Sequence, residues 1–441
     1  MPATADSSPL ASANDGAAML VWGQDAGAVL PAGVLQHSML HWRLRVDTAL
    51  MPNSWTPDMP ETADLSEAPS RTSARTARLS LEVRPFTPLD VSEVVALHGR
   101  VFGHSRSFSA EQLSAYFLEI LFASPWYDSS MPSLVATEGD RIIGFLGVLP
   151  RPMEFRGKRL RAAVCTQFMM DPAQRSSLGA FQLAKSFLQG PQDLAIADGA
   201  NESARRMWTA MGGAPALLYS MHWARPLRPA SSAIAMLQRS RGLWPLSALA
   251  RPMAKAADAV AAGLRPSLFS RRDATHSDED IRPADMLAHL PQVMRGKAVQ
   301  PVYDEHTIEW LLEQAALKRR HGTLRARSVS DSGGKLAGWY LYYCRRGSRA
   351  EVLQLAAING KYGKVVDHLL ADAWEQGAVS LHGRMDPQFS QALGDRHCWA
   401  RRDGPWTLIH SKDKEITTAL QTGDAFFSRL DAEWWMRFVD G

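Results

Sequence analysis

Ordered patterns of apolar and polar positions begin at about Leu79. Leu81-Glu82-Val83-Arg84-Pro85 alternates like a strand, and from Pro88 to Phe102 Val91, Val94, Val95, Leu97 and Val101 recur at helical intervals. A second helix is predicted over Ala110 to Phe122. Strands are predicted at Ser133–Thr137, Ile142–Leu149 and Leu160–Met170, separated by the turns Glu138-Gly139-Asp140 and Arg156-Gly157-Lys158. Then follow a helix (Ser176–Leu188), a short apolar strand (Leu194–Asp198), a helix (Glu202–Met211) and a closing strand (Ala216–Trp223). Antiparallel meander and parallel crossover together predict an α/β fold with a mixed central sheet rather than a doubly wound parallel one.

The same order recurs near the C-terminus. Helix Asp304–Ala316 precedes strands Thr323–Ser328, Leu336–Cys344 and Ala350–Ala357, then helix Val365–Gln376, strand Ala378–Gly383, helix Gln388–Leu393 and strand Trp406–His410. A domain over 79–229 and a degenerate repeat of it over 281–441 are therefore expected. Phe426, Phe427, Leu430, Trp434, Trp435 and Phe438 are assigned to a final aromatic helix docked on the core. Residues 1–78, rich in Ala, Ser, Thr, Pro and Asp, show little periodicity and are expected to be a disordered extension. Between 230 and 280 a helical connector is expected, with nearly unopposed arginines from Arg225 to Arg272. Its bland reading is a solvated face, and the sharper one is weak contact with an anionic surface.

Composition narrows the function classes. The net charge of +4 over 441 residues is small and its signs are interspersed, so nucleic acid is not the expected partner. Cys165, Cys344 and Cys398 are dispersed and lack metal-ligand spacing. No metal is expected, and His382, His397 and His410 are too scattered to change that. No run approaches the ~20 apolar residues of a membrane span, and a soluble cytoplasmic protein is expected.

Two constellations carry the chemistry. Asp171-Pro172-Ala173-Gln174-Arg175-Ser176-Ser177-Leu178-Gly179-Ala180 stands where a strand gives way to a helix. Helix-start amides, small side chains and Arg175 suit an anion; an ordinary helix start would look similar. Asn201-Glu202-Ser203-Ala204-Arg205-Arg206-Met207-Trp208-Thr209-Ala210-Met211-Gly212-Gly213 is a capped helix with Ala204 and Trp208 on one face.

Together these resemble the GNAT N-acetyltransferases. Pro172, Arg175 and Ala180 fit the family's pyrophosphate loop, with Leu178 in place of the first glycine and Gly179 one position late. Asn201, Ala204 and Gly212 fit its Asn-x-x-Ala-x-x-x-Tyr-x-x-x-Gly-Phe signature, with Trp208 for tyrosine and Gly213 for phenylalanine. The resemblance implies a GNAT-type sheet, duplicated as two GNAT-like domains, and an acyl-CoA co-substrate, acetyl-CoA or another acyl-CoA. Phe168, Met169 and Met170 would pair with the pantetheine arm. Arg175, Ser176, Ser177, Leu178, Gly179 and Ala180 would hold the pyrophosphate, and Asn201 and Trp208 would flank the thioester end.

The implied reaction is transfer of an acyl group, acetyl being the expected one, to a small-molecule or peptide amine. Trp208 stands where many relatives place the tyrosine that protonates the leaving thiolate, and an indole N–H cannot do so. Either another donor serves, or hydrogen bonds or water assist, or the domain is silent. Glu154, Asp171, Tyr219 and His222 are the candidate acid–base residues, with a structural role the favoured reading of each. The chain's own C-terminus, brought in by the second half, is a further candidate base. Rival readings are a non-catalytic acyl-CoA-binding or scaffold protein and an aminoacyl-tRNA-dependent transferase. A gap beside Met169 filled by side chains would argue against acyl transfer. Self-association is left open.

Overall fold

The computed structural model describes residues 81–102, 109–173, 178–237, 250, 252–260, 279–402 and 404–436. The extension 1–78 and most of the connector lie outside them. Within the connector, the helix Pro229–Leu237 is capped by Asp258, whose carboxylate accepts from the Ala230 and Ser231 amides at 2.8 and 2.9 Å.

Two mixed sheets form the framework. Sheet A contains β1 (Leu81–Pro85), β2 (Leu134–Glu138), β3 (Arg141–Phe155), β4 (Lys158–Met170), β5 (Leu194–Ala200), β6 (Ala214–Pro215), β8 (Val299–Pro301) and β14 (Trp406–His410). Its order is β1-β2-β3-β4-β5-β14-β6, with β8 on the far end of β3. Sheet B contains β7 (His222–Pro226), β9 (Thr323–Ser330), β10 (Leu336–Cys344), β11 (Arg349–Ala357), β12 (Ser380–Arg384) and β13 (Trp399–Arg401), in the order β13-β7-β12-β11-β10-β9.

The two halves exchange strands. β7 follows the sheet A elements in the chain yet pairs antiparallel with β12 and β13 of sheet B. β14 follows the sheet B elements yet pairs antiparallel with β5 and β6 of sheet A. The closing strand expected over Ala216–Trp223 is thus divided. Its first portion leads into a 3-10 turn, Leu218–Ser220, and its end begins β7 in the other sheet. Each sheet is completed by a strand of the other half, so neither closes alone.

Three layers of apolar side chains separate the sheets and helices. α1 (Val91–Phe102) and α2 (Ala110–Leu121) bury Val94, Leu97, Phe117 and Ile120 against sheet A, in a core that runs on through helix Glu305–Ala316 to Trp339, Leu341 and Tyr343 of β10. α3 (Leu178–Leu188) and α4 (Glu202–Ala210) cover the opposite face of sheet A. Helix Tyr362–Glu375 covers the outer face of sheet B.

The C-terminal segment threads the central layer. An aromatic helix was expected there, but Arg429–Asp431 is a short 3-10 turn and Ala432–Met436 is not helical. Ser428 and Asp431 close a capping box over that turn, and Phe426, Phe427, Leu430, Trp434, Trp435 and Met436 are all buried in an interior strap, while Phe438 lies outside the described residues.

Candidate functional site

β4 and β5 diverge early. Their parallel pairing covers only Ala162–Val164 against Leu194–Ile196. Beyond Val164 the β5-facing edge of β4, residues 165–170, is released from this ladder. β4 also carries a bulge at this point. Its register against β3 shifts between Phe145↔Met169 and Gly147↔Thr166, and Gln167 adopts φ 49°. Released amides beside a bulge are what an extended acyl-carrying arm could pair with.

Asp171 locks the end of β4. Its buried carboxylate meets Arg100 Nε at 2.9 Å and Arg141 Nη2 at 2.5 Å, and accepts the Ala173 amide at 3.0 Å. Burial pushes its pKa up, but that amide and the two arginines outweigh it and hold the carboxyl below its ordinary value. Asp171 thereby anchors the turn into α3. Of the expected pyrophosphate residues, Arg175, Ser176 and Ser177 lie outside the described residues. Leu178 begins α3 half exposed, and Ala180 is buried. Gly179 has a packing reason: a Cβ there would come within 2.8 Å of Met170 Cε. Phe168 and Met169 are buried on opposite faces of β4.

Asn201 caps α4, its Oδ1 accepting the Ala204 amide at 2.9 Å. Trp208 is 1% exposed and packs against Phe187 with ring centroids 6.1 Å apart. Its indole belongs to the α3–α4 layer.

The other three acid–base candidates do not converge on the opening. Glu154 pairs with Arg159 near the β3–β4 turn, nine residues along β3 from Phe145, roughly 30 Å at strand rise. Tyr219 is fully buried and donates to the Ala425 carbonyl at 2.8 Å; burial pushes its hydroxyl above its usual range. His222 sits on β7 in sheet B. Burial, with Arg429 and Arg384 nearby, pulls it down to about 3, so its ring is neutral at physiological pH.

Different residues occupy the opening. Asp198 extends from β5 beyond its pairing with β4, and Glu433 arrives on the C-terminal strap; they are 6% and 2% exposed. The Glu433 amide donates to Asp198 Oδ1 at 3.1 Å. Three residues on, Met436 Sδ accepts from Thr166 Oγ1 of β4 at 3.2 Å. Arg384 Nη1 stands 3.5 Å from Asp198 Oδ2.

Burial raises the Asp198 pKa, opposed by Arg384, the Glu433 amide, Arg429 and Lys318. Burial and then the Asp198 charge push Glu433 well above the carboxylate range, while Thr166 and Lys318 pull weakly the other way. Burial and the neighbouring acid together disfavour ionisation of both carboxyls at once. Neither Glu433 oxygen has a hydrogen-bond partner among the described residues. Sequence reading missed both residues. Asp198 ends an apolar strand and Glu433 abuts two tryptophans, signals equally typical of core elements.

Beside the pair, on the same side of sheet A, lies Arg151 of β3, 4% exposed. Its guanidinium stacks 3.9 Å from the Trp126 ring and 5.4 Å from that of Trp435. Among the described residues, no group of three or more His, Cys, Asp or Glu side chains could hold a metal ion, and no helix is long and apolar enough to cross a membrane.

Residues 82–193 match the family model of the acetyltransferase (GNAT) domain. A GCN5-related N-acetyltransferase from Anabaena variabilis ATCC 29413 aligns with a TM-score of 0.50 and 12% identity, over 76% of this chain and 74% of that one. A conserved Enterococcus faecalis V583 protein described as a probable N-acyltransferase gives 0.49 and 12%, over 75% and 73%. At such identity the Anabaena likeness shows the fold, a mixed α/β arrangement of GNAT type, and it spans far more than the matched domain. No curated protein sequence matches significantly.

Proposed function

We propose that the chain, whose residues 82–193 match the family model of the acetyltransferase (GNAT) domain, is an acyl-CoA-dependent N-acyltransferase whose acid–base pair is Asp198 and Glu433. The observation that carries this reading is the convergence at one opening of a released, bulged β4 edge and two buried acids, Asp198 and Glu433, the amide of one donating to the carboxylate of the other. Acyl-CoA would supply the thioester. Backbone groups of residues 165–170 would align its arm, and a β4 amide beside the Gln167 bulge would stabilise the oxyanion. The turn held by Asp171, with Arg175, Ser176, Ser177 and the start of α3, would hold the pyrophosphate.

The acceptor nitrogen would attack the thioester carbonyl, the C–S bond would break, and the proton lost by nitrogen would pass to the ionised carboxyl of the pair. Acetyl remains the simplest acyl group, and a cytoplasmic setting fits free acyl-CoA. The strap delivers Glu433 from the second half, which supports reading that half as a degenerate GNAT-like domain that builds the acceptor side.

A second reading draws on a specific observation. Glu433 and Met436 stand in the β4–β5 opening, and Phe168 and Met169 are buried. Side chains filling the gap beside Met169 argue against acyl transfer and favour a non-catalytic scaffold protein, or an acyl-CoA-binding one that holds its ligand outside this gap. Purified full-length chain mixed with acetyl-CoA or longer acyl-CoAs and a panel of amines separates the two. Acceptor-dependent thiol release with N-acylated product supports the enzyme. CoA binding without thiol release for any acceptor or acyl length rejects it.

A further inference from the structure

Arg151 is placed in a way that the fold does not explain. It lies between Pro150 and Pro152 on β3, is 4% exposed, and all three of its guanidinium nitrogens lack a hydrogen-bond partner among the described residues. Its contacts are aromatic faces. Trp126 and Trp435 stack on it, and Trp310 stands edge-on to both, with centroids 5.6 and 5.7 Å away. Stacking satisfies the face of a guanidinium but leaves its in-plane N–H donors unmet, and these form the fork that grips a carboxylate.

The acids whose fields reach Arg151 are already engaged. Asp431 accepts the Tyr303 hydroxyl, and the Ser428 amide and hydroxyl at 2.6 Å each. Asp198 takes the Glu433 amide and faces Arg384. Neither is within hydrogen-bonding reach of Arg151.

The surroundings also define the shape of the missing partner. Arg151 pairs in register with Ala162, where β4 is still joined to β5, and the two strands diverge after Val164. Asp198 and Glu433 stand just past that point. A cation site and an acid pair therefore flank the vertex, near enough for the Asp198 charge to act on Arg151. A dianionic phosphate would bring a second negative charge into the field of Asp431 and Asp198, whereas a single carboxylate carried with an ammonium complements both ends.

We propose that the acceptor is an amine that also bears a carboxylate, of the amino-acid class, with its carboxylate held by the Arg151 fork between Trp126 and Trp435 and its amine directed to Asp198 and Glu433. The word acceptor rests on the acyl-transfer reading; the carboxylate site does not.

The test uses matched pairs on the full-length chain: L-phenylalanine against phenethylamine, L-methionine against 3-(methylthio)propylamine, and L-lysine against cadaverine. Binding is followed by tryptophan fluorescence, since Trp126 and Trp435 touch the site, and turnover by thiol release with acyl-CoA. At least one amino acid is expected to bind roughly 10- to 100-fold more tightly than its decarboxylated partner. That preference should collapse in Arg151→Gln and survive at a reduced level in Arg151→Lys.

Because the guanidinium stacks on Trp126 and Trp435, replacing it costs packing whatever its role, so a merely structural Arg151 would lower stability in Arg151→Gln without changing the ratio of amino-acid to amine binding. Amines binding or reacting as well as amino acids, or an unchanged preference in Arg151→Gln, overturns the proposal. Amino-acid binding that needs Arg151, without thiol release for any acceptor, supports the site and rejects acyl transfer instead.

Discussion

The two sheets open in the same way and are finished differently. In sheet A the parallel pairing of β4 with β5 stops after Val164↔Ile196; in sheet B that of β11 with β12 stops after Glu351↔His382. One strap, Phe427 to Met436, visits both openings. At the second, Arg429 Nη1 donates to Glu351 at 3.0 Å and to the Val352 carbonyl at 3.3 Å, and Gln354 Nε2 reaches Ser428 Oγ at 3.1 Å. Burial would raise the Glu351 pKa, but Arg349 and Arg429 hold it down to about 2. At the first opening the strap brings an acid against an acid, and Arg151 stands by without a hydrogen-bond partner among the described residues.

At the turn after β11, Lys361 is tied to Asp331 at 2.5 Å, and Arg396 backs Gly363 so closely that a Cβ there would meet its Nη2 at 2.7 Å. At the second opening the strap's arginine is matched to an acid of the chain; at the first, the Glu433 carboxyl and the Arg151 guanidinium have no hydrogen-bond partner among the described residues, which is where chemistry is to be sought.

The largest effect that could break this contrast is at Glu433. If the Asp198–Glu433 pair takes the acceptor's proton, Glu433→Gln should lower kcat by about 100- to 10,000-fold. The wild-type rate should rise with pH through the raised carboxyl range and lose that limb in the variant. Stability gives an independent sign. A carboxyl whose folded pKa is raised destabilises the fold increasingly as pH climbs from its unfolded value, about 4.3, toward the folded one. Thermal melts of Glu433→Gln should therefore match wild type in acid and exceed it at neutral pH. Undiminished turnover would remove Glu433 from the chemistry.

The second half should answer in stability. Arg429→Met leaves Glu351 buried with Arg349 alone and should cost about 3 kcal/mol by denaturant unfolding. Adding Glu351→Gln should restore some of that loss. Because Glu351 is depressed to about 2, its contribution is complete above an unfolded pKa of about 4.3 and disappears as pH falls through 2. An Arg429→Met loss that persists undiminished at pH 2 would mean that packing on Trp434, 4.4 Å away, outweighs the ion pair.

Local pattern revealed the elements well. Strands Leu336–Cys344 and Trp406–His410 fall where alternation puts them, and Asn201 caps its helix. Partners were not legible, because alternation marks a strand without naming the sheet it joins; β7 and β14 read as ordinary closing strands. The strand expected over Ile142–Leu149 is longer than its alternation marks, and Pro150 and Pro152 lie in its extension. It continues to Phe155, the prolines lying two residues apart with their missing donors on one edge. That continuation places Arg151. The site itself depended on long-range meetings, Asp198 with Glu433 across 235 positions, for which sequence spacing holds no signal.

The smallest effect is expected where the sequence first drew attention. Trp208 stands where related chains place a tyrosine, but it is 1% exposed, lies against Phe187 and Gly213, and presents no hydroxyl. If its role is packing, Trp208→Phe should leave kcat within about threefold while lowering stability by about 1–2 kcal/mol for the lost ring volume. Trp208→Tyr should not raise kcat, because its oxygen would enter the apolar layer of Phe168, Leu183 and Phe187 rather than the Asp198–Glu433 side of the sheet. Comparing the two variants by turnover and unfolding isolates the hydroxyl. A faster Trp208→Tyr enzyme would show that thiolate protonation limits the rate and that its donor acts from the α3–α4 face, shifting the chemical centre across β4.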